Sequence, residues 1–263
     1  MADTIIGAKG NQFKYCSNGS WFKKDYLGYE ALAETIVSFI LSKSNVSSFC
    51  RYSIVSDDTG IYSKSENFLR SNSTLITLQK LVRLHEGIEL HEKMLEFDEV
   101  EDKIKYTSDI IVGITGLKEF SKYLTLILEL DALTLDDDRH FNNIAVIFDG
   151  TDYYLPPLFD FGASFLSDTM IDYPLSSDLD KLLEIKNAKP FSSDFNEQVD
   201  VAESLYGTQL KVHTTANEVC SYVDSIGNYS QEIKTHVKTL IRYAFRKYRY
   251  LLGSNGMKNL TLF

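Results

Sequence analysis

The run Asp138-Arg139-His140-Phe141-Asn142-Asn143, an apolar stretch and then Asp160-Phe161-Gly162 put a carboxylate, an amide and a second carboxylate on two short loops. Phosphoryl transfer from ATP needs that set of side chains. One acid orients or deprotonates the attacking hydroxyl, and an amide oxygen and a second carboxylate hold Mg²⁺ against the triphosphate. Asp138 is the candidate acid/base, and Asn143 and Asp160 are the candidate metal ligands. Taken alone, Asp136-Asp137-Asp138 would read as a solvated acidic turn. Asn143, opening the apolar Ile144-Ala145-Val146-Ile147, argues otherwise, because its amide can turn back toward a metal. Asp160 ends the apolar run from Tyr153 to Phe159, so its carboxylate needs a cation, a metal or backbone donors. Gly162 would permit a sharp turn after it.

A cation for the phosphates is available from Lys23 or Lys24, which a strand would point to opposite sides. Lys23, beside Phe22, is the preferred residue. Glu34, amid Leu32, Ala33, Ile36 and Val37, is the natural ion-pair partner, with Glu30 one turn earlier as the competitor. Gly7-Ala8-Lys9-Gly10-Asn11 could cover phosphates with backbone N–H groups, although the run matches neither glycine-rich phosphate-loop pattern. His85 and His91 lack the spacing of a zinc protease.

These residues need a scaffold. The chain has 263 residues, enough for one two-lobed domain or two small ones, and at 44% hydrophobic it can bury a sizeable core. A net charge of -10 disfavours a broad grip on nucleic acid. Cys16, Cys50 and Cys220 form neither a disulfide framework nor a zinc site. No secretory leader and no membrane-spanning run are visible, so a cytoplasmic protein without stable membrane insertion is expected. Export by a route that needs no leader would leave no such trace.

The pattern predicts a small β-rich lobe over residues 1–71. It starts with a hairpin over 4–24 that turns at Asn18-Gly19. From Gly28 comes a long helix with Leu32, Ile36, Phe39 and Ile40 at helical spacing, followed by a strand pair at 51–55 and 60–63. Residues 72–263 read as a helical lobe, with helices expected over 74–86, 88–106 and 116–133. A hairpin over 143–148 and 153–155 turns at Asp149-Gly150, and the chain is helical again from about 181. In the last helix Ile233, Val237, Leu240, Ile241, Phe245 and Tyr248 form a packing face, with a solvated basic face elsewhere.

The segment Asp138–Asn143, together with Leu155-Pro156-Pro157-Leu158-Phe159-Asp160, resembles the HipA-like serine/threonine kinases of bacteria. The run from Trp21 to Glu34 resembles a compact branch of them that includes a secreted proinflammatory kinase. The resemblance implies an α+β, two-lobed protein-kinase-like fold, related to phosphatidylinositol 3- and 4-kinases, with ATP and Mg²⁺ between the lobes. It places the strand lysine at Lys23 and the helix glutamate at Glu34. Tyr62, Ser63, Lys64 and Ser65 fall near the adenine, with 65–69 following the hinge. It also implies a protein serine or threonine as acceptor, the chain itself included. A lipid or small-molecule hydroxyl is the alternative acceptor, and a nucleotide-binding pseudokinase is the alternative class. The oligomeric state is not legible.

Overall fold

A computed structural model describes residues 3–6 and 12–253. Strands β1 (Asp3–Ile6), β2 (Phe13–Ser17) and β3 (Ser20–Lys24) come first, then helix α1 (Glu30–Ser42), then β4 (Tyr52–Asp57) and β5 (Gly60–Glu66). The five strands form one antiparallel sheet in the order β1-β2-β3-β5-β4. Asn18-Gly19 makes the β2–β3 turn, both residues with positive φ, as the two-residue hairpin requires. That turn sets the register Ser17↔Ser20, Cys16↔Trp21, Tyr15↔Phe22 and Lys14↔Lys23. The phosphate-loop candidates Gly7, Ala8, Lys9, Gly10 and Asn11 lie outside the described residues.

Helix α1 is buried along nearly its whole length, with Leu32, Ala33, Ile36, Val37 and Ile40 at 0% exposure. It packs against β4 and β5 on one side and, on another, against α8 (Ala216–Ser225) of the helical region.

That region begins with β6 (Thr74–Thr77), followed by α2 (Leu78–Glu86), α3 (Leu90–Lys93), α4 (Val100–Thr115) and α5 (Phe120–Thr134). Next come β7 (Ala145–Phe148), β8 (Tyr153–Tyr154), α6 (Leu179–Ile185), α7 (Phe195–Tyr206), α8 (Ala216–Ser225) and α9 (Gln231–Lys247). Two sequence expectations change. Residues 74–77 are a strand paired with β7, not the first turn of a helix, and the helix starts at Leu78 with Thr77 as its cap. The alternation Thr-Leu-Ile-Thr suits a strand. The helix expected over 88–106 is broken, with α3 ending in a short 3₁₀ turn at Met94–Glu96 before α4 begins at Val100.

Helix α5 forms the centre of this region and delivers the chain to Asp136–Asp138. Leu124, Leu128, Leu130 and Leu133 are buried, and α5 packs on α4, α7 and α9. On α9, Val237, Leu240, Ile241 and Phe245 are buried, as is Tyr248 just past its end, whereas Ile233 at the start of the expected packing face is only partly buried. Among the described residues no helix is long and apolar enough to cross a membrane.

Candidate active site

The sheet of β1–β5 and the helical region face each other across a cavity of about 400 Å³. Lys23, Glu34, Asp138, Asn143 and Asp160 all line it.

Lys23 is the penultimate residue of β3. Its Nζ lies 2.9 Å from Glu34 Oε1 and 2.6 Å from Asp160 Oδ1, joining three elements at one ammonium. Glu34 is therefore the partner of Lys23. Glu30 instead accepts the backbone N–H groups of Tyr26, Leu27 and Gly28 ahead of α1. Burial opposes the charge on Lys23, but Asp160 and Glu34 hold its pKa well above the usual lysine value. Burial likewise pushes the Asp160 carboxyl up, yet the Lys23 ammonium and Arg139 bring it down to about 2, so it is ionised at neutral pH. Glu34 goes the other way, because burial raises it more than Lys23 lowers it.

The backbone bends sharply at Asp160 itself (φ 63°), a left-handed conformation that aspartate tolerates better than most residues. Gly162 is not the left-handed residue. The loop lies against α1 there, and an added Cβ would make only an ordinary contact, 3.5 Å from Glu30 Cβ. The Asp160 N–H donates to the Tyr52 hydroxyl at 3.2 Å.

Asp138 follows the end of α5, where Leu135 is also left-handed (φ 54°). Its side chain is 14% exposed and its Oδ1 lies 3.4 Å from Lys189 Nζ. Asn143 Nδ2 donates to the Asp138 carbonyl at 2.8 Å, which ties the two ends of this loop together. The acidic run is not a solvated turn. Asp136 is 2% exposed, and Asp137 accepts a hydrogen bond from the Tyr173 hydroxyl.

The two loops meet at Arg139, a residue to which sequence reasoning gave no structural role. It is 2% exposed and forms a two-pronged pair with Asp131 on α5, Nε to Oδ2 at 2.8 Å and Nη2 to Oδ1 at 2.9 Å. The guanidinium also donates to the carbonyls of Asn143 at 3.3 Å and Asp160 at 3.3 Å. One planar cation thus fixes the backbone of both candidate metal ligands.

Of the residues expected beside the adenine, Ser65 lines the cavity, followed by Glu66, Asn67, Phe68 and Leu69. Tyr62, Ser63 and Lys64 do not line it. The Tyr62 hydroxyl bonds that of Thr59, and the Lys64 ammonium sits over the Phe22 ring. Two further residues of the cavity wall were not anticipated, Trp21 and Lys14. Lys14 lies directly opposite Lys23 in the β2–β3 ladder, and burial and then the charge of Lys23 push its ammonium below the usual lysine value. The hairpin turn at Asn18-Gly19 carried that signal, since it dictates which residues face each other.

Among the described residues no group of three His, Cys, Asp or Glu side chains is placed to hold a metal. The donor set here is different: the Asn143 amide and the ionised Asp160 carboxylate are hard oxygen donors that fit a divalent cation completed by phosphate oxygens and water.

With this geometry established, solved structures give a match. The Helicobacter pylori proinflammatory kinase CtkA superposes with a TM-score of 0.63, over 95% of this chain and 92% of that one, at 14% identity. The chain has the fold of that kinase. HipA of Shewanella oneidensis MR-1, solved with HipB and operator DNA, matches over 93% of this chain and 63% of its own length, at a TM-score of 0.41 and 12% identity. No protein-family model and no curated protein sequence matches the chain.

Proposed function

We propose that the chain is an ATP- and Mg²⁺-dependent kinase that phosphorylates serine and threonine hydroxyls of proteins, itself included. The observation that carries this reading is the junction of Lys23, Glu34 and Asp160 at 2.9 and 2.6 Å, in the same cavity as Asp138 and Asn143. A half-buried ammonium held between two carboxylates from different parts of the chain suits a group that must grip phosphate in a fixed place. The likeness in fold to a kinase supports the same reading.

In this reading Lys23, oriented by Glu34, binds phosphate oxygens, and Lys14 adds a second ammonium opposite it. Asn143 and Asp160 would hold the divalent cation, which when bound neutralises charge on the phosphates. Asp138 orients the acceptor hydroxyl and takes its proton as the oxygen bonds to the terminal phosphorus and the bond to the leaving diphosphate breaks. Arg139 keeps the two loops at a fixed separation throughout. Ser65 to Leu69 provide the wall for the base. With an overall charge of -10, a protein acceptor is favoured over an anionic lipid surface.

Radiolabelled ATP with Mg²⁺, offered with casein and with phosphatidylinositol vesicles, tests the reading. We expect label on casein or on the chain itself, at serine or threonine by phosphoamino-acid analysis. Asp138→Ala and Asp160→Ala should each lower it at least about 100-fold. Label confined to the lipid would replace the protein acceptor. Nucleotide binding without transfer to any acceptor would remove the enzyme reading altogether.

A further inference from the structure

Lys189 comes from far along the chain, on segment 186–194 between α6 and α7, yet its Nζ lies 3.4 Å from Asp138 Oδ1. The segment is fastened to the loop that carries Asp138. The Phe191 ring, 2% exposed, meets the Phe141 ring edge-on at 5.7 Å. The Lys189 carbonyl accepts a hydrogen bond at 3.2 Å from Nε2 of Gln198, a fully buried residue of α7. The Ala188 N–H donates to the Ser193 carbonyl at 2.9 Å, closing the segment on itself. The backbone beneath Lys189 is therefore fixed relative to Asp138, and only the lysine side chain remains to be ordered.

Folding stability does not account for the contact. The Lys189 side chain is 43% exposed, and ion pairs this open to water contribute little. Its position does account for it. Asp137, Asp168 and Asp172 line the cavity with Asp138, while Arg139 is turned inward to Asp131 and Asp136. Repulsion among these carboxylates acts to turn the Asp138 side chain away, and an ammonium at Oδ1 counters it.

We propose that Lys189 is a positioning residue of the transfer step, holding the Asp138 carboxylate in the orientation that receives the acceptor proton. The inference rests on the kinase reading above. Lys189 is not among the residues that line the cavity, so it acts on turnover and leaves nucleotide binding unchanged.

Steady-state transfer to casein or to the chain itself, measured for the full chain as wild type, Lys189→Met, Lys189→Gln and Lys189→Arg, tests this. We expect kcat to fall roughly 10- to 100-fold in Lys189→Met and Lys189→Gln, the range for a misplaced catalytic group. KM for ATP and the melting temperature should stay at wild-type values. Lys189→Arg should recover most of the turnover, since a guanidinium can reach the same oxygen. The glutamine variant keeps the test open if the methionine variant does not fold. Unchanged kcat in a folded methionine or glutamine variant, a matching rise in KM for ATP, or an arginine variant as slow as the methionine one would overturn the proposal. In each of those cases wild-type transfer leaves the kinase reading standing. A wild type that binds ATP and transfers nothing overturns both.

Discussion

At the scale of single residues, Arg139 does most to set the distance between the two loops. It neutralises Asp131 and Asp136 where water cannot, and it donates to the backbone beside Asn143 and Asp160. Removing it strands two buried carboxylates. We expect Arg139→Met to lower folding stability by about 3–5 kcal/mol in urea denaturation. Lysine should recover only part of the loss, because it cannot reproduce the two-pronged geometry. A loss under about 1 kcal/mol for the methionine variant would mean that the acids find other partners. The residue scale was partly legible in the sequence. Asp138, Asn143 and Asp160 carry unusual chemistry at readable spacing, and the structure lines one cavity with all three. The choice of Glu34 over Glu30 was harder, because both sit on one helix and only the third dimension separates an ion-pair partner from a backbone cap. Arg139 was hidden, because its partner Asp131 lies inside a helix that reads as a leucine-rich packing element.

At the scale of elements, α1 and the segment after Asp160 are joined directly. Tyr29, fully buried, donates its hydroxyl to the Phe165 carbonyl at 2.5 Å. The Met170 N–H donates to the Leu27 carbonyl at 3.0 Å, and Gly28 pairs with Asp168. A Cβ on Gly28 would stand 1.9 Å from the Ser167 carbonyl oxygen. We therefore expect Gly28→Ala to force the two apart. It should cost roughly 1–3 kcal/mol of stability and lower phosphoryl transfer with it. An alanine variant with wild-type melting temperature and activity would show that the segment gives way freely. Sequence periodicity located α1, the β2–β3 hairpin and the β7–β8 hairpin. It missed β6, because four alternating residues running straight into a helix look like that helix's first turn, and the partner strand lies far along the chain. The join between Gly28 and Asp168 left no mark in the pattern, since a glycine ahead of a helix reads as an ordinary boundary.

At the scale of the molecule, residues distant in sequence close on the end of β3. Asp25 Oδ1 accepts the Ala31 N–H at 2.7 Å, and Oδ2 accepts the Tyr229 hydroxyl at 2.7 Å from the loop between α8 and α9. Burial raises the Asp25 carboxyl to about 7, with Glu30 and Glu34 adding to it, against the lowering by Tyr229 and Ala31. The folded chain thus binds this proton more tightly than the unfolded chain does. The contribution is fully present below the ordinary aspartate value and is lost as pH rises through about 7. We expect the stability of wild type relative to Asp25→Asn to fall steadily from about pH 4 to about pH 7 and then level off, in urea titrations across that range. A constant difference would put the proton elsewhere. The same long reach governs how such a fold can be switched. Because Tyr29 and Gly28 staple the start of the long helix to the stretch following Asp160, swinging that helix outward must drag the stretch along. In the kinase proposed above, an outward swing of that helix that parts Lys23 from Glu34 would therefore disturb the stretch after Asp160 in the same movement.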